Sequence, residues 1–149
     1  MSHLFDQLVS KLEGKNKKIV FPEALDERIL VAAGKLGREG MIQPILIGHQ
    51  DKINERADQL GINIQSCEVI DPNTYNDFDD MVSRFVERRN GKATEQDARK
   101  ILRDENYFGT MLVDMEKADG LVSGAVHSTG DTVRPAFQII KTKQGVRKI

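Results

Sequence analysis

Apolar and polar residues alternate along this chain in a pattern that predicts helices and short buried strands in turn. Within residues 4–12 the apolar side chains recur three and four positions apart, which predicts an amphipathic helix that ends at Gly14. The run KIVF at residues 18–21 then predicts a short buried strand, which Pro22 stops. The chain is therefore expected to begin with a helix followed by a strand.

The same succession continues through the rest of the sequence. Asp26 is placed to cap a helix whose apolar residues keep helical spacing until Gly37 and Gly40 close it. The further elements that the pattern predicts are a strand at 44–48, a helix over about 51–60, a strand at 67–71, helices over about 77–89, 94–103 and 106–118, and a strand at 120–124. Strands that alternate with helices run parallel and are joined by crossovers. We therefore expect an α/β fold of three layers, with a mainly parallel, Rossmann-like sheet and helices on both faces.

The segment SGAVHSTGDTVRP at residues 123–135 follows the last predicted strand and consists largely of small and hydroxyl-bearing residues. In open parallel sheets, ligands collect at the carboxyl ends of the strands, in the loops that lead into the next helix. Ser128 and Thr129 offer hydroxyl groups there, and Arg134 could add a bidentate contact to a phosphate. The loop is therefore a candidate phosphate-binding site.

A capped turn without a ligand is the alternative interpretation of the same loop. A helix that begins near Asp131 or Thr132 presents free N–H groups to an anion, and it places Pro135 in the first turn, where the missing N–H costs nothing. The carboxylate of Asp131, however, would repel an anion at that end. It could instead pair with Arg134 three residues later and brace the start of the helix. Both interpretations remain open.

Composition excludes several classes of protein. The 149 residues are close to the most common size of a single domain and suffice to bury a core. Twenty-two basic and 23 acidic side chains give a net charge of −1, so no global field attracts nucleic acid or a membrane surface. The first residues lack the apolar core of a signal peptide, and no apolar run approaches the roughly 20 residues that span a bilayer. The single cysteine, Cys67, forms no internal disulfide, and we expect a soluble protein of the reducing cytoplasm.

The histidines and the cysteine show no spacing typical of a metal site. His3, His49, His127 and Cys67 are scattered along the chain, so we expect no bound metal. His127 lies in the candidate loop, where a structural hydrogen bond is favoured over a contact with substrate. Cys67 opens a predicted strand and is expected to be a small buried hydrophobic residue rather than a nucleophile.

Four charged residues follow the first predicted strand closely: Glu23, Asp26, Glu27 and Arg28. Helix capping and surface charge explain most of this cluster. Its place at the carboxyl end of a strand leaves a role facing a ligand cleft as the alternative.

Four segments of the chain closely resemble the bacterial phosphate acetyltransferases: KIVFPEALDERIL, VERRNGKAT, NYFGTMLV and ADGLVSGAVHSTGDTVRPAFQIIKTK. The resemblance runs from about Lys18 onward, whereas the ending QGVRKI departs from the family's usual continuation. Family members are a little over twice as long. The resemblance therefore implies that residues 1–149 are the amino-terminal α/β domain portion of a two-domain acyltransferase, without the second domain and the carboxyl-terminal part.

The resemblance implies reversible transfer of an acetyl group between coenzyme A and inorganic phosphate, with coenzyme A as a substrate and no tightly bound cofactor. In the family, an aspartate deprotonates the thiol, which attacks the acetyl carbonyl, while a serine and an arginine hold the phosphoryl group. These three residues lie in the carboxyl-terminal part, so no catalytic residue is expected here and the chain alone is expected to be inactive. By the same resemblance the full-length enzyme is expected to be a homodimer that acts on small molecules.

Two arginines match the family's coenzyme A contacts by motif: Arg134 in TVRP and Arg88 in VERR. With the loop hydroxyls, the expected substrate-binding residues are Arg134, Arg88, Ser128 and Thr129. A guanidinium suits the phosphates of coenzyme A because its donors form a fixed fork. Arg89 could serve in place of Arg88, and both could instead be solvated cations at the end of a helix.

Two other functions remain open at this stage. One is a phosphate acyltransferase for a longer acyl chain such as butyryl, which would share the fold and much of the loop. The other is a non-catalytic binding module of a larger polypeptide. This sequence does not distinguish transfer of a longer acyl chain from acetyl transfer, because the walls of the acyl pocket are expected in the carboxyl-terminal part.

Overall fold

Four parallel strands form one sheet at the centre of the molecule. The structure is a computed structural model that describes residues 2–146. The strands are β1 Lys18–Phe21, β2 Gln43–Ile47, β3 Glu68–Ile70 and β4 Gly120–Leu121. Their order across the sheet is β3-β2-β1-β4, and every pair of neighbours is parallel. The expected parallel sheet is confirmed.

Seven helices accompany the sheet within residues 2–146. They are α1 Ser2–Leu12, α2 Glu27–Arg38, α3 Gln50–Leu60, α4 Phe78–Arg89, α5 Glu95–Ile101, α6 Glu105–Asp114 and α7 Thr129–Ile139. Helix α6 ends four residues earlier than the pattern predicts, and the chain turns at Glu116 with a φ of 59°. The longest of these helices have 12 residues, and none in the described part of the chain is long and apolar enough to cross a bilayer.

Hydrophobic clusters lie on both faces of the sheet. Val20, Ile45 and Ile47 point into a cluster that α4, α5, α6 and α7 complete. The alternate strand residues Phe21 and Leu46 point into a second cluster with α2 and α3. Successive side chains of a strand point to opposite faces, so a strand buried on both sides reads as a continuous apolar run. The expected three-layer α/β architecture is confirmed.

The strand order reverses direction at β1, and this reversal positions the candidate site. The chain adds β2 and then β3 on one side of β1, and it later places β4 on the other side. Ligands of open α/β sheets bind outside the carboxyl ends of the two strands at such a reversal. The residues that follow β1 and β4 therefore meet at the edge where a ligand is expected.

Helix α7 contains a proline that the sequence pattern places differently. The helix begins at Thr129, two residues before the earlier of the two expected starts, so Pro135 lies inside it rather than in its first turn. Pro135 has no N–H to give to the carbonyl of Asp131. The buried side chain of Asn106 donates to that carbonyl at 3.5 Å, and its Oδ1 accepts from the Ser123 hydroxyl at 2.8 Å. The proline is tolerated because α6 supplies the missing donor.

Candidate functional site

The carboxylate of Glu23 holds the loop that follows β4. Its Oε1 accepts the N–H groups of Gly124 and Ala125, each at 2.8 Å. Its Oε2 accepts the N–H groups of Val126 at 2.6 Å and His127 at 2.8 Å, and it lies 2.9 Å from His127 Nδ1. The side chain of Glu23 is fully buried. One carboxylate thus fixes four consecutive backbone amides and one imidazole.

This arrangement keeps Glu23 ionised. Burial alone raises the pKa of the carboxyl, but the backbone hydrogen bonds from Val126, Ala125 and His127, together with the His127 ring, outweigh it and hold the pKa at about 2. Successive N–H groups turned toward one point form a concavity that binds an anion. Here the protein's own carboxylate occupies that concavity, so these amides are not open to a substrate phosphate.

The other charged residues after β1 follow the sequence-based interpretation, whereas Glu23 does not. Asp26 caps α2 by accepting from the Arg28 N–H, and Glu27 is exposed. Arg28 pairs with Asp26 at 2.9 Å and donates to the Ala125 carbonyl at 2.7 Å. Capping and surface charge thus explain the other three residues, whereas surface charge is the wrong interpretation of Glu23. The sequence did contain a signal for the buried position of Glu23. This glutamate directly follows a buried Phe–Pro pair, and a polar loop elsewhere in the chain can receive it.

The expected structural role of His127 is confirmed by its contact with Glu23. The fold also brings one ligand atom each of His127, Asp104 and Glu105 within 4.8 Å of one another, a grouping that the spacing of the histidines and the cysteine does not indicate. Asp104, which is exposed, already caps α6 by accepting from the N–H groups of Asn106 and Tyr107. Capping accounts for the position of Asp104 and the contact with Glu23 for that of His127, and nothing else at this point indicates a cation.

Cys67 lies beside the second hydrophobic cluster. Its side chain is half-buried and packs against that cluster just before β3. Burial raises the pKa of the thiol, which lowers the thiolate fraction at neutral pH. These surroundings favour a packing role, as the sequence predicts.

The first turn of α7 is capped by its own residues. Ser128 Oγ accepts the Asp131 N–H at 3.1 Å and lies 2.7 Å from Asp131 Oδ2, to which it donates. Thr129 is the first helical residue and is exposed. The Ser128 hydroxyl is therefore engaged in the cap. A substrate contact of Ser128 or Thr129 stays a prediction.

Arg134 projects from α7 one turn beyond the cap. Its side chain is 58% exposed, and its Nη1 lies 3.4 Å from Asp131 Oδ1. The brace between these residues thus exists, but an exposed pair of this kind stabilises a helix by only about 0.2–0.5 kcal/mol. The side chain of Arg134 is otherwise largely exposed, so an external anion can reach it.

Arg88, by contrast, is tied to a buried carboxylate. Asp114, at the end of α6, is 2% exposed, and its Oδ1 accepts from Arg88 Nε at 2.8 Å and from Arg88 Nη2 at 2.5 Å. Its Oδ2 accepts from Arg84 Nε at 2.9 Å. Arg88 thus joins α4 to α6, and a coenzyme A contact of its remaining donors stays a prediction. Arg89 forms no ion pair with any residue in the described range 2–146.

The chain is similar over nearly its whole length to known proteins. A family model described as phosphate acetyl/butaryl transferase matches residues 3–149. The phosphate acetyltransferase of Bacillus subtilis strain 168 is 57% identical over 148 residues, which are 99% of this chain and 46% of that relative. The phosphate acetyltransferase of Staphylococcus aureus strain Mu50 is 53% identical, with 99% and 45% covered.

Two solved structures share the fold. A EutD phosphotransacetylase from Staphylococcus aureus superposes with a TM-score of 0.92 at 52% identity, over 99% of this chain and 44% of that one. A phosphotransacetylase from Streptococcus pyogenes superposes with a TM-score of 0.94 at 54% identity, over 99% and 45%. The chain thus spans less than half the length of each relative.

Proposed function

Because this chain belongs to the phosphate acetyl/butaryl transferase family, we propose that it serves the reversible transfer of an acetyl group between coenzyme A and inorganic phosphate. Its part in that reaction is to bind coenzyme A along α7, beside the loop that Glu23 holds. We assign acetyl rather than butyryl as the acyl group because the relatives that are 53–57% identical are named phosphate acetyltransferase.

The position of Arg134 is the observation that carries this proposal. Arg134 lies on the helix that begins directly after the Glu23-held loop, at the reversal of strand order where ligands of such sheets bind. It is exposed and only loosely paired with Asp131. A guanidinium presents two parallel N–H donors to a phosphate, and coenzyme A carries both a pyrophosphate and a ribose phosphate.

The Glu23-held loop gives the ligand a rigid surface to approach. Gly124 has a φ of 114°, which favours glycine, and because it has no side chain a ligand can approach the backbone closely there. In the proposed reaction the thiolate of coenzyme A attacks the acetyl carbonyl, the bond from that carbon to the phosphate oxygen breaks, and phosphate leaves. By the resemblance, the aspartate, serine and arginine for these steps lie in the carboxyl-terminal part of family members. We assign no catalytic residue within residues 1–149.

We further propose how this portion is organised in the whole enzyme. Residues 1–149 would form the amino-terminal α/β portion of a two-domain, homodimeric and cytoplasmic acyltransferase. Coenzyme A would be a substrate rather than a tightly bound cofactor. The similarity over 99% of this chain but only about 45% of each relative supports the first statement, since the chain matches one part of a longer protein.

Substitution of Arg134 tests the proposal. Arg134→Ala should weaken coenzyme A binding about ten- to a hundredfold, because one charge-assisted contact is worth about 1.5–3 kcal/mol. Arg134→Lys should recover part of the affinity, since it keeps the charge and loses the fork. Isothermal titration of coenzyme A, paired with a melting temperature for each variant, measures both effects. A lower melting temperature with unchanged coenzyme A affinity would show that Arg134 only braces the helix.

A further inference from the structure

Glu23 is a buried, ionised residue to which the proposed reaction gives no task. Its carboxylate accepts the N–H groups of residues 124–127 and contacts the His127 ring, and its side chain is fully buried. Removing a carboxylate from water is costly, and these hydrogen bonds offset that cost. Such a residue either stabilises the fold alone or also serves the ligand site beside it.

The contacts of Glu23 end directly at the start of α7. The last N–H that it accepts belongs to His127, and the next residue, Ser128, caps the helix by accepting the Asp131 N–H. The Ser128 hydroxyl donates to Asp131 Oδ2, and Asp131 Oδ1 lies 3.4 Å from Arg134 Nη1. A continuous series of contacts thus joins Glu23 to Arg134 through the first turn of α7.

The first turn of α7 has little other support. Residues 129–131 are exposed, and the buried residues of the helix are Pro135 and Ile139. Because Pro135 has no N–H, the Asp131 carbonyl lacks its bond within the helix, and Asn106 replaces it at 3.5 Å, longer than an ordinary hydrogen bond. The first turn is therefore joined weakly to the rest of α7 and depends on the loop that precedes it.

The same loop is also held from its carbonyl side. Arg28 Nη2 donates to the Ala125 carbonyl at 2.7 Å, and Arg28 is itself held by Asp26 through contacts of 2.9 and 3.0 Å. The N–H of Ala125 donates to Glu23, so both backbone polar groups of Ala125 are engaged. Arg28 is 70% exposed, whereas the Glu23 side chain is fully buried. Glu23 therefore provides the stronger of the two holds.

We propose that Glu23 is a positioning residue of the coenzyme A site and acts on Arg134 through residues 124–127 and the first turn of α7. This inference rests on the function proposed above and adds to it a residue that does not touch the ligand. A ligand that meets a guanidinium already in place loses less conformational entropy on binding. Loss of the Glu23 carboxylate should therefore weaken coenzyme A binding even where the chain stays folded.

Packing of α7 is the competing explanation for the position of Arg134. Pro135 and Ile139 are buried, and Gln138 Oε1 accepts from the Tyr107 hydroxyl at 2.9 Å. If these contacts suffice, Glu23 contributes to stability alone, and the coenzyme A affinity of the folded chain does not depend on it. The two explanations differ in whether the effects of Glu23 and Arg134 on affinity are coupled.

A double-mutant cycle measures that coupling. Calorimetric or NMR titration gives the coenzyme A affinity of the wild-type chain, Glu23→Gln, Arg134→Ala and the double variant, each well below its melting temperature. Glu23→Gln should weaken binding about fivefold or more when Arg134 is present and less than about twofold in the Arg134→Ala chain, because two residues that act on one contact are not additive. Glu27→Gln removes an exposed carboxylate of α2 and is the matched control, which should leave the affinity unchanged.

Hydrogen exchange of the wild-type chain is a second test, which does not depend on the folding of a variant. If coenzyme A binds only the held loop, ligand at about one hundred times its Kd should slow local exchange of the amides at 124–127 about a hundredfold. The Gly61 amide at the end of α3, which donates to the Asp58 carbonyl, is the control and should exchange at an unchanged rate.

Four results would overturn the positioning role. Glu23→Gln could leave the affinity unchanged, or weaken binding equally in both backgrounds. Glu27→Gln could weaken binding as much as Glu23→Gln does, which would indicate a general effect of charge. Exchange at residues 124–127 could stay the same in the saturated wild-type chain. Failure of the wild-type chain to bind coenzyme A would instead remove the proposed function, and this role with it.

Discussion

Glu23 connects two parts of the chain that lie more than one hundred residues apart. Its carboxylate receives the N–H groups of residues 124–127, and the first of these bonds spans a sequence separation of 101. Because the side chain is fully buried and its pKa is held at about 2, the loop conformation depends on the charged form of one residue. That dependence makes the stability of the fold sensitive to acid.

We expect the free energy of unfolding to fall as the pH decreases from about 4.5 toward about 2. The pKa of Glu23 is depressed in the folded state, so its stabilisation is complete above the ordinary value of 4.5 and is lost as the pH falls through the folded value. A shift of this size corresponds to on the order of 3 kcal/mol. Chemical denaturation at a series of pH values measures the effect.

Two substitutions assign this pH dependence to Glu23. Glu23→Gln keeps the shape of the side chain but directs an amide NH₂ at backbone donors, so it should lower stability at neutral pH and flatten the profile in acid. Glu27→Gln, at an exposed position in the first turn of α2, should keep the wild-type profile. A Glu23→Gln profile as steep as that of the wild type would argue against this assignment.

At the scale of elements, α6 packs closely on the sheet at one glycine. Gly109, in the middle of α6, faces Val20 of β1 and Leu121 of β4. A Cβ built there would lie 2.9 Å from Val20 Cγ1 and 2.8 Å from Leu121 Cδ1. Val20 is fully buried and β-branched, so its side chain cannot move aside easily. The glycine therefore sets the distance between α6 and the sheet.

We expect Gly109→Ala to lower the free energy of unfolding by about 1–3 kcal/mol, the usual cost of overpacking a core. This is opposite in sign to the gain of roughly 1 kcal/mol that alanine gives over glycine in an unhindered helix. Gly130→Ala in α7 is the control, since a Cβ there has its nearest contacts at 3.8 Å and should not destabilise. Urea denaturation of both variants decides the matter. An equally or more stable Gly109→Ala protein would contradict this account of the packing.

At the scale of the whole molecule, the β4 edge of the sheet presents apolar surface. A concavity of about 240 Å³ beside β4 is lined by Leu121, Val133, Ile140 and neighbouring residues. Val122 is 53% exposed, and Thr132 Oγ1 is buried without a hydrogen-bond partner within residues 2–146. A buried hydroxyl without a partner and adjoining exposed apolar side chains are both typical of a surface that another segment covers.

We expect the isolated chain to bind a hydrophobic dye or to self-associate through this surface. The reason is the free energy gained when exposed apolar area leaves water. Sedimentation velocity and dye fluorescence measure the two outcomes. Val133→Ser together with Ile140→Ser should reduce both effects, whereas Val31→Ser, on the distant helix α2, should not. A monomeric chain that binds no dye would contradict the expectation.

We also expect no acetyl transfer by this chain alone. By the resemblance, the groups that deprotonate the thiol and hold the phosphoryl group lie outside residues 1–149, and the chain spans about 45% of the length of its relatives. A coupled assay for acetyl-coenzyme A, made from acetyl phosphate and coenzyme A, measures this directly. A rate that scales with the amount of this polypeptide would overturn it.

The succession of elements was predictable because it depends on neighbours along the chain. The strand at residues 18–21 and the cap at Asp26 appear where the pattern predicts them. The start of α7 was harder to predict from the sequence, since Pro135 indicated a position in the first turn of the helix. That indication failed because Asn106, from another helix, supplies the donor that a proline inside a helix lacks. A local rule was overridden by a contact that no local pattern contains.

The sequence by itself determined the three-layer α/β architecture, the family resemblance and the place of Arg134 after a polar loop. Only the tertiary structure decided that Glu23 closes that loop and that Asp114 holds Arg88. The physical reason is that periodicity and capping act over a few residues. Which charges meet across a sheet or between helices depends instead on strand order and helix packing, which arise from the whole chain at once.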